Sequence, residues 1–313
     1  MKKLNVGWSG IEDKTGFLFS FAKSLSAAVK NSPYQEVSED IIATSGFAFR
    51  MWVDSNTLCP SATSIWDFES QKKWVESGGI ICNYVGRYWE QDDIEKERRE
   101  KAIEIIKESI NKGIPAVSWD IGVPEWGLII GYDDDEKTFE ALSIQGEYLK
   151  MPYETLGKRE IPILSVLTVA GKSEKSHEDI YYDTLKLAVS HLKGQEWCDA
   201  NKSGLEAYPA LMAFFNEKFT QDLSWNMEYY LGTYGALKLY AYKYFEKVKS
   251  NDLAQAYRRV YDNWIKAFSL KRNEDINNQN VRDEIIDLLK DAYECEIKAV
   301  GTMEEIVKSK NSP

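Results

Sequence analysis

The strand-type runs of this chain end near residue 172 and helical periodicity fills the remainder, so the sequence predicts an α+β part followed by an all-α part. Residues 116–119, 126–132, 139–142 and 163–169 are rich in β-branched and aromatic side chains and are separated by turn residues. Asp133, Asp134, Asp135, Glu136 and Lys137 lie between the second and third runs and predict a hairpin loop. Three successive aspartates do not make a calcium loop, which needs ligands at alternating positions and a distant glutamate.

Helices are predicted on both sides of that boundary. Phe17, Leu18, Phe21, Leu25, Ala28 and Val29 recur at helical spacing behind Asp13 and Thr15, two residue types that cap helices. Cys59-Pro60-Ser61 predicts a second helix start, because proline suits the first helical position. Residues 94–112 carry Ala102, Ile103, Ile106 and Ile110 on one stripe, and Gly113 closes the segment. Beyond Gly171-Lys172-Ser173 the strand signals stop. Leu185, Ala188, Val189 and Leu192 form one apolar stripe, residues 207–219 and 225–249 read as further helices, and 273–280 reads as a polar loop. Val281, Ile285, Leu288, Ala292, Cys295, Ala299, Met303 and Ile306 then mark the last helix. The division is 1–172 for the α+β domain and 173–313 for the helical domain.

At 313 residues with 43% hydrophobic content, the chain can bury two cores. Its net charge of -11 is shared by both halves and leaves no basic footprint for nucleic acid or a membrane surface. The start has a basic pair but no apolar run of the about 7–15 residues that a signal peptide needs. No stretch approaches the roughly 18 apolar residues that span a bilayer. Cys59, Cys82, Cys198 and Cys295 lie far apart without a CxxC pair, which predicts free thiols and a cytoplasmic location rather than a disulfide framework or a zinc site.

Standard catalytic signatures are missing. Gly7-Trp8-Ser9-Gly10 brings its second glycine one residue too early for a nucleophile elbow. Neither phosphate-cradling glycine pattern occurs, so no nucleotide cofactor is expected. His177 and His191 stand 14 residues apart, about 21 Å along one helix, and cannot share a metal. No metal site is expected.

The most informative segment runs from Gly113, Pro115, Ala116, Val117 and Trp119-Asp120 through Glu125-Trp126-Gly127 to Gly131-Tyr132-Asp133. It resembles the second half of papain-like peptidases of the bacteriocin-processing type, in which a Gly-x-Pro strand leads to a strand that carries the catalytic histidine ahead of Gly-Tyr-Asp. More closely, the chain resembles the family with a butirosin-biosynthesis-H N-terminal domain followed by a helical region. The resemblance covers residues 1–170 for the papain-like (cysteine-peptidase-like) part and implies acyl transfer onto an amino sugar. Counted back from Gly131, the histidine position is Glu125. The region expected for the cysteine, at the start of the central helix, holds Lys14 between Asp13 and Thr15. The third triad position falls at Ser143. A glutamate in place of the imidazole opposes thiolate formation, which argues against a Cys–His peptidase.

Cys59 could restore an enzyme reading, since a helix N-terminus stabilises a thiolate. Glu125 or Asp120 would then have to act as base, and a structural Cys59 is the plainer reading. Trp119-Asp120 and Glu125-Trp126 place two aromatic faces and two carboxylates around one turn. That set suits an organic cation through cation–π contact and charge-assisted hydrogen bonds, unless both tryptophans are core residues. Arg50, beside Phe47 and Phe49, could neutralise Asp120 or Glu125 or bind a carboxylate. The tyrosines at 229, 230, 234, 240, 242 and 244 suit core packing or a homodimer contact. Three functions follow: a catalytically degenerate papain-like protein binding a small amine-bearing or peptidic ligand, an acyltransferase or amidase, or a scaffold.

Overall fold

The computed structural model describes residues 1–64, 67–196 and 200–310, so Cys198 lies outside the described residues. The chain forms two compact units that interleave along the sequence. Residues 1–12, 20–42 and 68–175 make the first, and 13–19, 43–67 and 176–313 make the second. The last crossing, at 175/176, falls close to the boundary read from the sequence, whereas 13–19 and 43–67 group with the later, helical part.

The first unit contains β1 (Lys2–Lys3), α1 (Ser20–Lys30), α2 (Ser70–Ser77), β2 (Ile80–Arg87), α3 (Glu95–Asn111), β3 (Ala116–Ser118), β4 (Gly127–Asp133), β5 (Thr138–Leu142), β6 (Tyr148–Pro152) and β7 (Leu164–Lys172). Its seven strands form one antiparallel sheet in the order β2-β7-β3-β4-β5-β6, with β1 paired to β4 at Lys2↔Tyr132 and Lys3↔Gly131. The unit is thus mixed α+β. Successive strand residues point to opposite faces. Ala116, Ile129, Phe139 and Val166 meet the buried stripe of α3, which consists of Ala102, Ile105, Ile106 and Ile110. Ile103, placed on that stripe by the sequence pattern, is only partly buried. Each fully buried isoleucine contributes about 1.5–3 kcal/mol relative to exposure. Helix α1 also packs on β3, β4 and β7, and Leu128 and Ile130 are as buried as Ile129 between them. With both faces covered, β4 needs the near-continuous apolar run seen in its sequence. Gly113, at φ +83°, follows α3 in the left-handed conformation that ends many helices.

The second unit contains α4 (His177–Leu192), α5 (Ala207–Ala213), α6 (Ser224–Lys247), α7 (Asn251–Asn273) and α8 (Gln279–Lys310). Ser176 caps α4 by accepting the Asp179 N–H at 3.0 Å. Helices α6, α7 and α8 pack in succession, and α4 lies on α8. Trp52–Val53 pairs with Lys202–Ser203 in a two-residue ribbon, an exception to the loss of strand signals after residue 172. Tyr230, Tyr234, Tyr240 and Tyr244 are buried core residues. No helix among the described residues is long and apolar enough to cross a membrane.

Candidate functional site

Helix α1 begins at Ser20, not in the region of Lys14. Asp13 and Thr15 do cap backbone groups, but those of a preceding turn. Asp13 accepts the N–H groups of Gly16 at 2.9 Å and Leu18 at 3.2 Å, and Thr15 Oγ1 accepts that of Phe17 at 3.1 Å. With Gly16 at φ +81°, the chain turns before the helix starts. Lys14 lies exposed in segment 13–19 of the second unit. The side chain at the head of α1 is therefore Ser20, which sequence reading missed. A serine directly ahead of the Phe21, Leu25 and Ala28 stripe was the available signal.

Ser20 is buried, and its hydroxyl donates to the Glu125 carboxylate while Oγ accepts the Trp126 N–H at 3.2 Å. Glu125 is brought there by the 119–126 loop between β3 and β4. That loop closes on itself through Ile121 N–H to Glu125 O at 3.2 Å and Glu125 N–H to Val123 O at 2.6 Å. The structure thus joins the head of α1 to the second residue before β4. Ser143 follows β5 but has a local role. Its Oγ accepts the Glu147 N–H at 3.1 Å, its own N–H donates to Glu147 O at 2.9 Å, and its carbonyl takes the Trp8 indole N–H at 2.9 Å. These bonds close the β5–β6 connection.

Trp119 and Trp126 do not present open faces. Their rings pack edge to face at 5.3 Å, Phe68 lies 5.8 Å from the first and 5.3 Å from the second, and Phe21 lies 4.9 Å from Trp126. Trp126 is 0% exposed and Trp119 6%, so the expected aromatic cage is a filled aromatic core. Asp120 is buried with φ +59°, and Arg159 Nε stands 3.4 Å from its Oδ1. Burial raises its pKa and outweighs the lowering effect of Arg159.

Arg50 and Cys59 both belong to the second unit. The Arg50 guanidinium lies over the Trp52 ring at 3.7 Å, donates to Thr63 O at 2.9 Å and pairs with Glu196 at 3.3 Å. Glu196 is therefore a carboxylate partner of Arg50, and Arg159 is a cation beside Asp120. Burial opposes ionisation of Glu196, yet Arg50, His191 and the Trp52 indole together hold its pKa below the ordinary value. Cys59 is half-buried, 3.0 Å from Ser61 Oγ, and its N–H donates to Asp54 Oδ2 at 3.1 Å. Pro60–Ser64 after it is a short 3-10 turn rather than the α-helical first turn expected to support a thiolate. The Cys82 thiol is pushed up to about 12 by burial, with Glu76 adding to the effect. Among the described residues, no three His, Cys, Asp or Glu side chains stand close enough to hold a metal ion.

Chemically, the Ser20–Glu125 pair can polarise a hydroxyl at the positive end of an 11-residue helix. In comparisons with known proteins, the chain matches no family model and no curated protein.

Proposed function

We propose that the first unit is a papain-like domain that has lost peptidase chemistry and binds a small amine-bearing or peptidic ligand. The observation that carries this reading is the hydrogen bond from Ser20 at the head of α1 to Glu125 ahead of β4. A thiol peptidase needs a group there that takes a proton from the nucleophile and returns it to the leaving amine. The group found there is a carboxylate already holding the Ser20 hydroxyl, not the imidazole that performs this exchange. The same carboxylate attracts an ammonium group.

Thermal unfolding with a panel of amines and short peptides tests the reading. At least one cationic member raises the melting temperature, and Glu125→Gln removes that shift while Ser20 stays unlabelled by a fluorophosphonate. A panel that produces no shift sinks the binding reading. One observation favours a second reading, acyl transfer by Ser20: its hydroxyl already donates to a carboxylate at a helix N-terminus. A fluorophosphonate adduct on Ser20, lost in Glu125→Gln, would move the assignment to that class.

A further inference from the structure

Ile121 and Gly122 of the 119–126 loop help to line a pocket of about 170 Å³ in the first unit. Its apolar floor is completed by Ala141, Leu149 and Met151, and its charged lining residues are Glu147, Lys150 and Arg159. A cavity of about 150 Å³ already admits benzene, so this volume has room for a small organic molecule. Gly122 is needed for the shape. At φ +83° it suits glycine, and a Cβ there would lie 2.7 Å from Leu149 Cδ1 and 3.2 Å from Ser143 Cβ.

The three charged groups are not equivalent. Lys150 is committed to Glu136. Arg159 directs Nε to Asp120 and Nη2 to Gly122 O at 3.1 Å, and its Nη1 N–H groups have no acceptor among the described residues. The Glu147 carboxylate has neither an ion pair nor a hydrogen bond among the described residues, although its backbone is held by Ser143. The pocket thus offers one cationic fork held in place from behind, one uncommitted carboxylate and an apolar floor.

We propose that this pocket binds a free aliphatic α-amino acid of about the size of leucine. Its carboxylate meets Arg159, its ammonium meets Glu147, and its side chain lies on Ile121, Ala141, Leu149 and Met151. A guanidinium with two fixed contacts is pre-organised for a carboxylate, which lowers the cost of binding. The site is independent of the Ser20–Glu125 reading, because neither residue lines it.

Calorimetric titration tests the assignment with leucine, 3-methylbutylamine and 4-methylpentanoate, which carry both charges, the ammonium alone and the carboxylate alone. Leucine saturates the protein, and each half-ligand binds at least about tenfold more weakly. Glu147→Gln, an exposed and conservative change, brings leucine down to the affinity of 4-methylpentanoate. No saturation by leucine at about 10 mM overturns the proposal, as does undiminished binding to Glu147→Gln. Loss of leucine binding in Glu125→Gln with full binding in Glu147→Gln would overturn it too, by placing the ligand at the Ser20–Glu125 pair.

Discussion

Asp120 combines a left-handed backbone, a buried carboxylate and a cationic partner, and that partner, Arg159, is what makes the combination tolerable. Aspartate accepts positive φ better than most residues, so the backbone strain is modest. The charge is the larger cost, because burial favours the protonated form and raises the pKa. A folded-state value above the unfolded one means that the folded protein holds the proton more tightly. The associated stability is then fully present below the unfolded pKa and is lost as pH rises through the folded one. Removing Arg159 takes away the group that opposes this loss. Arg159→Ala is therefore expected to destabilise the protein by about 1–3 kcal/mol near neutral pH, and by clearly less at pH ~4, where Asp120 takes up a proton. Urea unfolding at the two pH values measures the difference, and an equal loss at both would show that the carboxylate is not the cause.

Among the elements, α6 and α8 are tied by an ion pair withdrawn from water. Lys238 Nζ lies 2.7 Å from Glu296 Oε1, and neither side chain is exposed. Tyr208 donates to Glu296 Oε2 at 2.8 Å and accepts the Trp264 indole N–H at 2.8 Å, so the pair sits in a connected polar network. Breaking a buried pair leaves an uncompensated charge. Lys238→Met is expected to cost about 3–5 kcal/mol, and adding Glu296→Gln, which keeps an acceptor for Tyr208, should recover at least half of it. Chemical denaturation of the single and double variants gives the coupling directly; additive losses would contradict it. Such polar residues in a helical core are not visible as pairs in a sequence, whereas apolar repetition is. The helix 279–310 and strands β3, β4, β5 and β7 were legible because apolar residues recur along their buried sides, although Val281, Leu288 and Ile306 of the helical stripe are only partly buried. Strand β2 was not, since its inward positions end in Arg87, which donates to the Gly157 and Pro162 carbonyls at 2.8 Å each. Strand β6 buries only Met151 and gives no alternation to read. The start of α1 was misplaced because Phe17 and Leu18 are in phase with its stripe although they precede it. That shift of a few residues hid Ser20, and with it the hydrogen-bond partner of Glu125.

Over the whole molecule, the interleaving of the two units constrains how the chain can be cut. A boundary at residue 172 separates the helices α4–α8 from segment 43–67, whose side chains pack with them. Phe49 lies 5.7 Å from the Phe245 ring and 5.4 Å from that of Tyr257. Trp52 pairs with Ser203 across the ribbon and its backbone N–H donates to the Tyr234 hydroxyl at 2.7 Å. Arg50 meets Glu196 only across the same cut. Phe47, Phe49, Met51 and Trp52 are each no more than 1% exposed, and burying such side chains contributes about 1.5–3 kcal/mol apiece. A fragment of residues 1–172 would carry these four groups without the surface that covers them, and 173–313 would lack the groups that cover its own. Both fragments are therefore expected to bind a hydrophobic dye and to lose near-ultraviolet circular dichroism, the behaviour of a collapsed state without fixed packing. Expressed together, they should co-purify and regain the signal of the full chain, because segment 43–67 can then return to α6 and α7. A soluble 1–172 fragment with a cooperative transition and no dye binding would show that the segment is dispensable to both units, and the interleaved organisation would then have no energetic weight.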